Sequence, residues 1–122
     1  MNNKQRLQAI LDGGVPDAPP TWELVFQIQE PFFGMPPRRA VEDAVYGSEE
    51  QKRLALWQYD FEIYERCVEE LGWGAIRGGY DPEEVAFHKK RIGDRALVVG
   101  YDSYKIMLDE YQRLCGQELG VK

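Results

Sequence analysis

The fold is decided by residues 73–100, which have the sequence WGAIRGGYDPEEVAFHKKRIGDRALVVG. Residues 73–79 predict a strand, and a helix follows that Asp81 caps and Pro82 begins. Acidic residues fill the first turn of that helix, where they complement its dipole, and a glycine ends it at position 93. Residues 96–100 form a short apolar run of the kind that parallel sheets bury on both faces. Strand, helix and strand in this order predict a parallel βαβ unit with a right-handed crossover.

Upstream of this unit the sequence predicts a long helix that Ser48 begins and Gly72 ends. Ser48 and Gln51 have the spacing of a capping box. An apolar stripe with spacings of three or four residues predicts the buried face of the helix. That stripe contains Leu54, Trp57, Phe61, Tyr64, Val68 and Leu71.

Four further segments complete the predicted order of elements. A short helix capped by Asn3 lies within residues 3–12, and an alternating strand covers residues 21–27. A proline-broken apolar loop spans residues 31–37, and a short helix over residues 38–46 follows it. A last helix begins at Ser103. We therefore expect one α/β domain over residues 1–122, with an N-terminal helix followed by three βα units.

Composition and charge exclude several classes of protein. The chain has 122 residues with 21 acidic and 15 basic side chains, which gives a net charge of −6. The absence of a long basic block argues against a nucleic-acid partner. No apolar run suits a signal peptide or a membrane span, and the two cysteines lack zinc-ligand spacing. These features predict a cytoplasmic protein with no membrane contact and no metal site.

The ligand site is expected at the carboxyl ends of the parallel strands, as in other α/β folds. The residues selected by this rule are Gln27, Glu30, Arg77, Tyr80, Tyr101 and Asp102. Glu23, on the inward face of the first strand, is a further candidate. The guanidinium of Arg77 suits a carboxylate on an anionic substrate. The alternatives are an internal ion pair between Glu23 and Arg77, which would offset the cost of burying the carboxylate, or an Arg77 in solvent.

The remaining candidates each have a structural alternative. Asp102 suits acid–base catalysis, or it caps the last helix together with Ser103. Tyr80 and Tyr101 line an aromatic pocket or complete the core. His88, the single histidine, is predicted to be a solvated surface residue because three basic residues follow it directly.

Three parts of the chain resemble the opening of the uroporphyrinogen decarboxylase superfamily. The sequence KQRLQAILDGG at residues 4–14, followed by PPTWEL at residues 19–24, is similar to the first helix and the first barrel strand of that family. LGWGAIR at residues 71–77 and RIGDRALVVG at residues 91–100 resemble the next two strands. The resemblance spans most of this chain and the first part of the family's domain.

The resemblance implies the first three βα units of a TIM barrel, a fold that needs at least about 200 residues to close. Members of the family include decarboxylases and cobalamin-linked methyltransferases. In the decarboxylases an arginine-bearing motif follows the first strand and holds substrate carboxylates. The equivalent residues 24–30 contain no arginine, which favours the methyltransferase-like or uncharacterised branch. The chain also lacks the His-x-Cys zinc ligands of that branch. The resemblance therefore implies no cofactor within this chain, and a corrinoid only for a methyltransferase-like member.

The first functional hypothesis is therefore the N-terminal portion of a tetrapyrrole-related decarboxylase or corrinoid methyltransferase, incomplete as a catalyst. Asp102 and Arg77 would be its catalytic residues. The residues expected to bind a tetrapyrrole or a small anionic ligand are Glu23, Gln27, Arg77, Tyr80 and Tyr101. A complementary chain or a second copy would supply the other wall of the site.

Two alternatives remain. The first is a non-catalytic module that oligomerises through its open sheet edges and through the apolar loop at residues 31–37. The second is a small doubly wound domain with a ligand at its switch point, although the chain has no phosphate-binding motif.

Overall fold

The structure is a computed structural model, and it describes residues 1–23, 26–100 and 113. The described part is mixed α/β, with five helices and two strands. The elements are α1 (Asn3–Leu11), α2 (Gln29–Phe33), α3 (Arg38–Glu42), α4 (Glu49–Leu71), β1 (Ala75–Gly79), α5 (Pro82–Ile92) and β2 (Leu97–Gly100). Within these residues the sheet has two strands, and none of the helices is long and apolar enough to cross a membrane.

The predicted βαβ unit is confirmed. Strands β1 and β2 pair in parallel, with Ala75 opposite Leu97, and α5 connects them. The Asp81 side chain accepts a hydrogen bond from the backbone N–H of Glu83 at 2.9 Å, and Pro82 is the first residue of the helix. The strands begin one or two residues later than the sequence pattern indicates. Local capping chemistry therefore defines this unit as expected.

Helix α4 begins and ends where predicted. The Ser48 hydroxyl accepts a hydrogen bond from the backbone N–H of Gln51 at 3.2 Å. The Gln51 side chain accepts from the backbone N–H of Gly47 at 2.9 Å, so it satisfies a donor one residue before the helix cap. At the other end Gly72 has a φ of +71°, a left-handed conformation that favours glycine.

The buried surface of α4 is wider than the predicted stripe. Trp57 and Phe61 are buried as expected, but the two ends of the stripe, Leu54 and Leu71, are 41% and 37% exposed. The buried residues of α4 that the stripe omits are Tyr59, Ile63 and Cys67. They are buried because the helix packs against other parts of the chain on two sides, and a single stripe describes only one side.

Two apolar clusters lie on either side of α4. The first, here the N-terminal cluster, consists of Phe33, Met35, Tyr59, Ile63, Cys67 and Trp73. The second, here the sheet cluster, consists of Phe61, Ile76, Ile92 and Ala96. Tyr64 and Val68 pack against both clusters. Helix α4 therefore joins the N-terminal region to the βαβ unit through continuous apolar contact.

The predicted first strand is not formed by the described residues of its segment, which are 21–23 and 26–27. Trp22 and Phe26 nevertheless pack on the N-terminal cluster. The backbone oxygen of Thr21 accepts one hydrogen bond from the N–H of Gly74 at 2.9 Å. Trp22 and Phe26 thus pack on the core without forming a strand, and three successive βα units are not seen in the described part of the molecule.

The loop predicted over residues 31–37 is also different. Its first residues belong to α2, and Phe33 and Met35 are buried in the N-terminal cluster, whereas Phe32 is half exposed. Helix α3 ends at Glu42, four residues before its predicted end. The helix predicted from Ser103 lies outside the described residues.

Helix α1 is capped one residue earlier than predicted. Asn2 and Gln5 form a reciprocal capping box, with hydrogen bonds of 2.8 Å in both directions. The side chain of Asn3 instead donates to the backbone oxygen of Gly72. Gly74 permits this close approach, because a Cβ atom there would lie 2.5 Å from the carbonyl carbon and oxygen of Asn3.

We predict that Gly74→Ala lowers the free energy of unfolding by about 1–3 kcal/mol, because the methyl group forces α1 away from the start of β1. Urea unfolding followed by tryptophan fluorescence measures this change. Gly14→Ala is the control, since its Cβ would meet only the backbone of Ala9, at 3.2 Å or more. Equal stability of the two variants would contradict the packing of α1 described above.

Candidate functional site

A cavity of about 580 Å³ lies at the carboxyl end of β1. Its described lining residues are Phe26, Gln27, Gln29, Arg38, Asp60, Ile63, Tyr64, Arg77, Gly79, Tyr80 and Glu84. Three of the predicted ligand-binding residues, Gln27, Arg77 and Tyr80, therefore lie around one cavity. This position agrees with the rule that placed the site after the parallel strands.

Glu23 lies apart from this group. It lines a second hollow of about 530 Å³, which shares only Phe26 and Gln27 with the first. Glu23 is exposed, whereas Arg77 is half-buried on β1. The structure therefore assigns the two predicted partners to different hollows. Tyr101 and Asp102 lie outside the described residues.

An ion pair that the sequence analysis missed forms part of the cavity wall. The Arg38 guanidinium donates two hydrogen bonds to the Asp60 carboxylate, from Nε to Oδ1 at 2.9 Å and from Nη2 to Oδ2 at 3.1 Å. Glu42, one turn further along α3, accepts a third. The hydrogen bonds that Arg38 donates to Asp60 are the main reason that the pKa of Arg38 is raised above its ordinary value. Arg38 is therefore a permanent cation held in one orientation.

No sequence signal identifies this pair, because Arg38 and Asp60 are 22 residues apart on different helices. Packing of α3 against α4 brings them together. The Nε and Nη2 atoms of Arg38 donate to Asp60, and its Nη1 atom donates to Glu42.

His88 contradicts its prediction as a solvated residue, since its side chain is 0% exposed. Its ring stacks on Phe61 with a centroid distance of 5.9 Å and meets Tyr64 and Phe87 edge-on at 5.6 and 5.3 Å. The three basic neighbours misled the sequence analysis. The useful signal was the helical spacing of Val85, His88 and Ile92, which puts the imidazole on the apolar face of α5.

Glu84 lies one turn before His88 and is a further residue that the sequence did not identify as part of the site. Its Oε2 is 3.6 Å from Nε2 of His88, and its side chain is 20% exposed. The carboxyl group lies directly against Gly79, which has a φ of +86°, and a Cβ atom there would overlap it. Glycine at position 79 therefore lets the carboxylate reach the carboxyl end of β1.

Gln29 adds a polar atom without a partner to the cavity wall. Its Nε2 donates to the Tyr59 hydroxyl at 3.3 Å, and its buried Oε1 has no hydrogen-bond partner among the described residues. A ligand that donates a hydrogen bond to this buried oxygen removes the cost of an unsatisfied acceptor, and its binding is thereby favoured. The wall thus combines guanidinium, amide, phenol and carboxyl groups.

Cys67 lies in the N-terminal cluster and is fully buried. Burial raises the pKa of the Cys67 thiol to about 12, and the charges of Glu23 and Glu70 add to the rise. The thiol therefore stays protonated at neutral pH, which makes it a packing residue rather than a nucleophile.

No group of three or more His, Cys, Asp or Glu side chains within the described ranges has a geometry that suits a metal ion. No protein-family model matches the chain, and no curated protein and no solved structure is found to be similar to it. The cavity and its lining side chains are therefore the features of this protein that indicate its function.

We predict that iodoacetamide at pH 8 modifies Cys67 in the folded protein at least on the order of a thousandfold more slowly than an unperturbed thiol. Both the raised pKa and the burial of the sulfur oppose the reaction. Mass spectrometry of the labelled peptides measures the rate at this residue. Labelling in concentrated urea is the control and should be fast, whereas comparable rates in both states would show that the thiol is accessible.

Proposed function

We propose that this chain binds the carboxylate groups of an anionic ligand in the cavity at the carboxyl end of β1. In this proposal it acts as the N-terminal portion of a protein of the uroporphyrinogen decarboxylase type. The single observation that supports this most is the convergence of Gln27, Arg77 and Tyr80 on one cavity. Tetrapyrroles, which carry carboxylates at their edge, and small organic acids are the ligand classes that suit these groups.

Each side chain at the cavity offers the ligand a different chemical group. Arg77 provides a guanidinium, which binds a carboxylate through two parallel hydrogen bonds. Tyr80 is 67% exposed, so its ring offers an apolar surface and its hydroxyl a donor at the mouth of the cavity. Gln27 and Gln29 offer amide groups, and the hydrogen-bonded Arg38–Asp60 pair lines the same cavity. Asp102 stays a proposed acid–base residue on the sequence argument alone.

In this proposal the chain supplies one wall of the site, and a complementary chain or a second copy supplies the other. The cavity is open, so a ligand of tetrapyrrole size would remain partly uncovered by the described residues. Decarboxylation or methyl transfer would then require the completed site. The absence of an arginine from residues 24–30 favours the methyltransferase-like branch, with a corrinoid as its cofactor.

We predict that the full chain binds coproporphyrin, a tetrapyrrole tetracarboxylate, and that Arg77→Gln weakens the binding by about 10- to 100-fold. A charge-assisted hydrogen bond of about 1.5–3 kcal/mol is lost. Quenching of tryptophan fluorescence measures the affinity. Cobyrinic acid, a corrinoid with free edge carboxylates, and citrate, tested in parallel, distinguish a corrinoid and a small acid from a porphyrin.

Arg39→Gln is the matched control, since Arg39 has the same charge but its side chain is 86% exposed and pairs with Asp43 on the surface. It should bind coproporphyrin as the wild type does. The proposal fails if none of the three probes binds, or if the variants at positions 39 and 77 lose affinity equally.

A second candidate function is self-association, as in the alternative of a non-catalytic module. The observation that favours it is the rim of the second hollow, where Ile28 and Phe32 are 53% and 52% exposed beside Leu71. Single apolar residues on a surface are common, but three at one hollow form a patch that a partner would cover.

We predict for this candidate that the wild type dimerises at micromolar concentration and that Phe32→Glu shifts it to monomer. Val45→Glu, at a fully exposed valine distant from the hollow in sequence, is the control and should not change the mass. Sedimentation velocity measures both. A monomeric wild type at these concentrations would exclude self-association as the function.

A further inference from the structure

His88 is a buried polar side chain without the partners that burial normally requires. Neither Nδ1 nor Nε2 has a hydrogen-bond partner among the described residues. The side chain is 0% exposed, and three aromatic rings surround it. Burying a hydrogen-bonding group without compensation is costly, and such groups call for an explanation other than packing.

Glu84 connects this imidazole to the cavity. Its Oε2 is 3.6 Å from Nε2 of His88, slightly beyond hydrogen-bond distance, and a small rotation of the carboxyl group closes the gap. The same side chain lines the cavity beside Arg77 and Tyr80. A charge that arrives in the cavity therefore acts on Glu84 first and on the imidazole behind it.

Other charged and titratable groups on neighbouring elements line the same two hollows as Glu84. They are Arg38 on α3, Glu49, Lys52, Arg53, Asp60 and Tyr64 on α4, Arg77 on β1, and Tyr80 after that strand. Asp60 already neutralises Arg38 through its bidentate contact. An additional anion near Glu84 therefore adds negative charge close to an existing carboxylate, which favours the binding of a proton there.

We propose that Glu84 and His88 take up one proton when an anionic ligand enters the cavity. This inference rests on the proposed function and specifies how the site accepts negative charge. The proton comes from the solvent and forms a bond to Nε2 of His88 through Glu84, while no covalent bond in the ligand breaks. The product is an imidazolium paired with the Glu84 carboxylate, which satisfies a ring nitrogen that has no hydrogen-bond partner among the described residues.

Calorimetry in two buffers of different ionisation enthalpy tests this inference, with coproporphyrin as the probe at pH 7. We expect the wild type to take up close to one proton per ligand, which makes the apparent enthalpy depend on the buffer. Glu84→Gln should abolish most of the uptake, because the amide cannot carry or share the proton. Uptake equal in the wild type and in this variant would overturn the inference.

Glu83→Gln is the matched control. Glu83 is adjacent on the same helix, but its side chain is 73% exposed and its nearest cation is Arg53 at 4.0 Å. This variant should retain the proton uptake of the wild type. Binding of coproporphyrin without proton uptake would overturn this inference and leave the proposed function intact, whereas absence of binding by all three probes would overturn both.

NMR spectroscopy of the imidazole tests the pair itself, first without a ligand and then with coproporphyrin. The chain contains a single histidine, so ¹⁵N-labelled histidine gives the signals of one imidazole. We expect Glu84→Gln to shift the ring ¹⁵N resonances and Glu83→Gln to leave them unchanged. In the wild type, saturation with coproporphyrin should convert the ring to the form protonated on both nitrogens. Resonances insensitive to Glu84→Gln would show that the two side chains do not form a pair.

Discussion

The burial of helix α4 on two sides is the constraint on which the rest of the structure depends. Tyr64 and Val68 contact both the N-terminal cluster and the sheet cluster. Trp57, Phe61 and Ile63 of the same helix are buried, and full burial of an apolar side chain contributes about 1.5–3 kcal/mol relative to exposure. A two-stranded sheet alone buries too little surface to be stable, so β1 and β2 rely on α4 and α5 for their apolar cover.

The same packing positions the cavity. Phe61 of α4 stacks on His88 of α5, which sets the side of α5 that faces inwards. Glu84, one turn earlier, then lies against Gly79 at the end of β1. Asp60, adjacent to Phe61, holds Arg38 at the cavity wall. The charged groups of the site are therefore arranged by the contacts of a few core residues.

Predictions that depend on contacts within a few residues of the chain were confirmed, whereas those for residues 21–27 and for His88 depend on packing between distant segments and were wrong. The caps of α4 and α5 were confirmed because a side chain within three residues of the helix end decides them. The strand over residues 21–27 was wrong in its described part, because extended chain packed on one side shows the same alternation as a strand. His88 was placed in solvent on the evidence of its sequence neighbours, and those neighbours project from other sides of the helix.

By itself the sequence determined the βαβ unit, the limits of the long helix, and the placement of Arg77 and Tyr80 at the carboxyl end of a strand. These follow from periodicity, capping and the geometry of parallel strands, all of which are local or general. Only the tertiary structure decided the pairing of Arg38 with Asp60, the burial of His88, and the position of Glu84 between the imidazole and the cavity. Those contacts depend on how separate elements pack, and residue spacing along the chain carries little information about that packing.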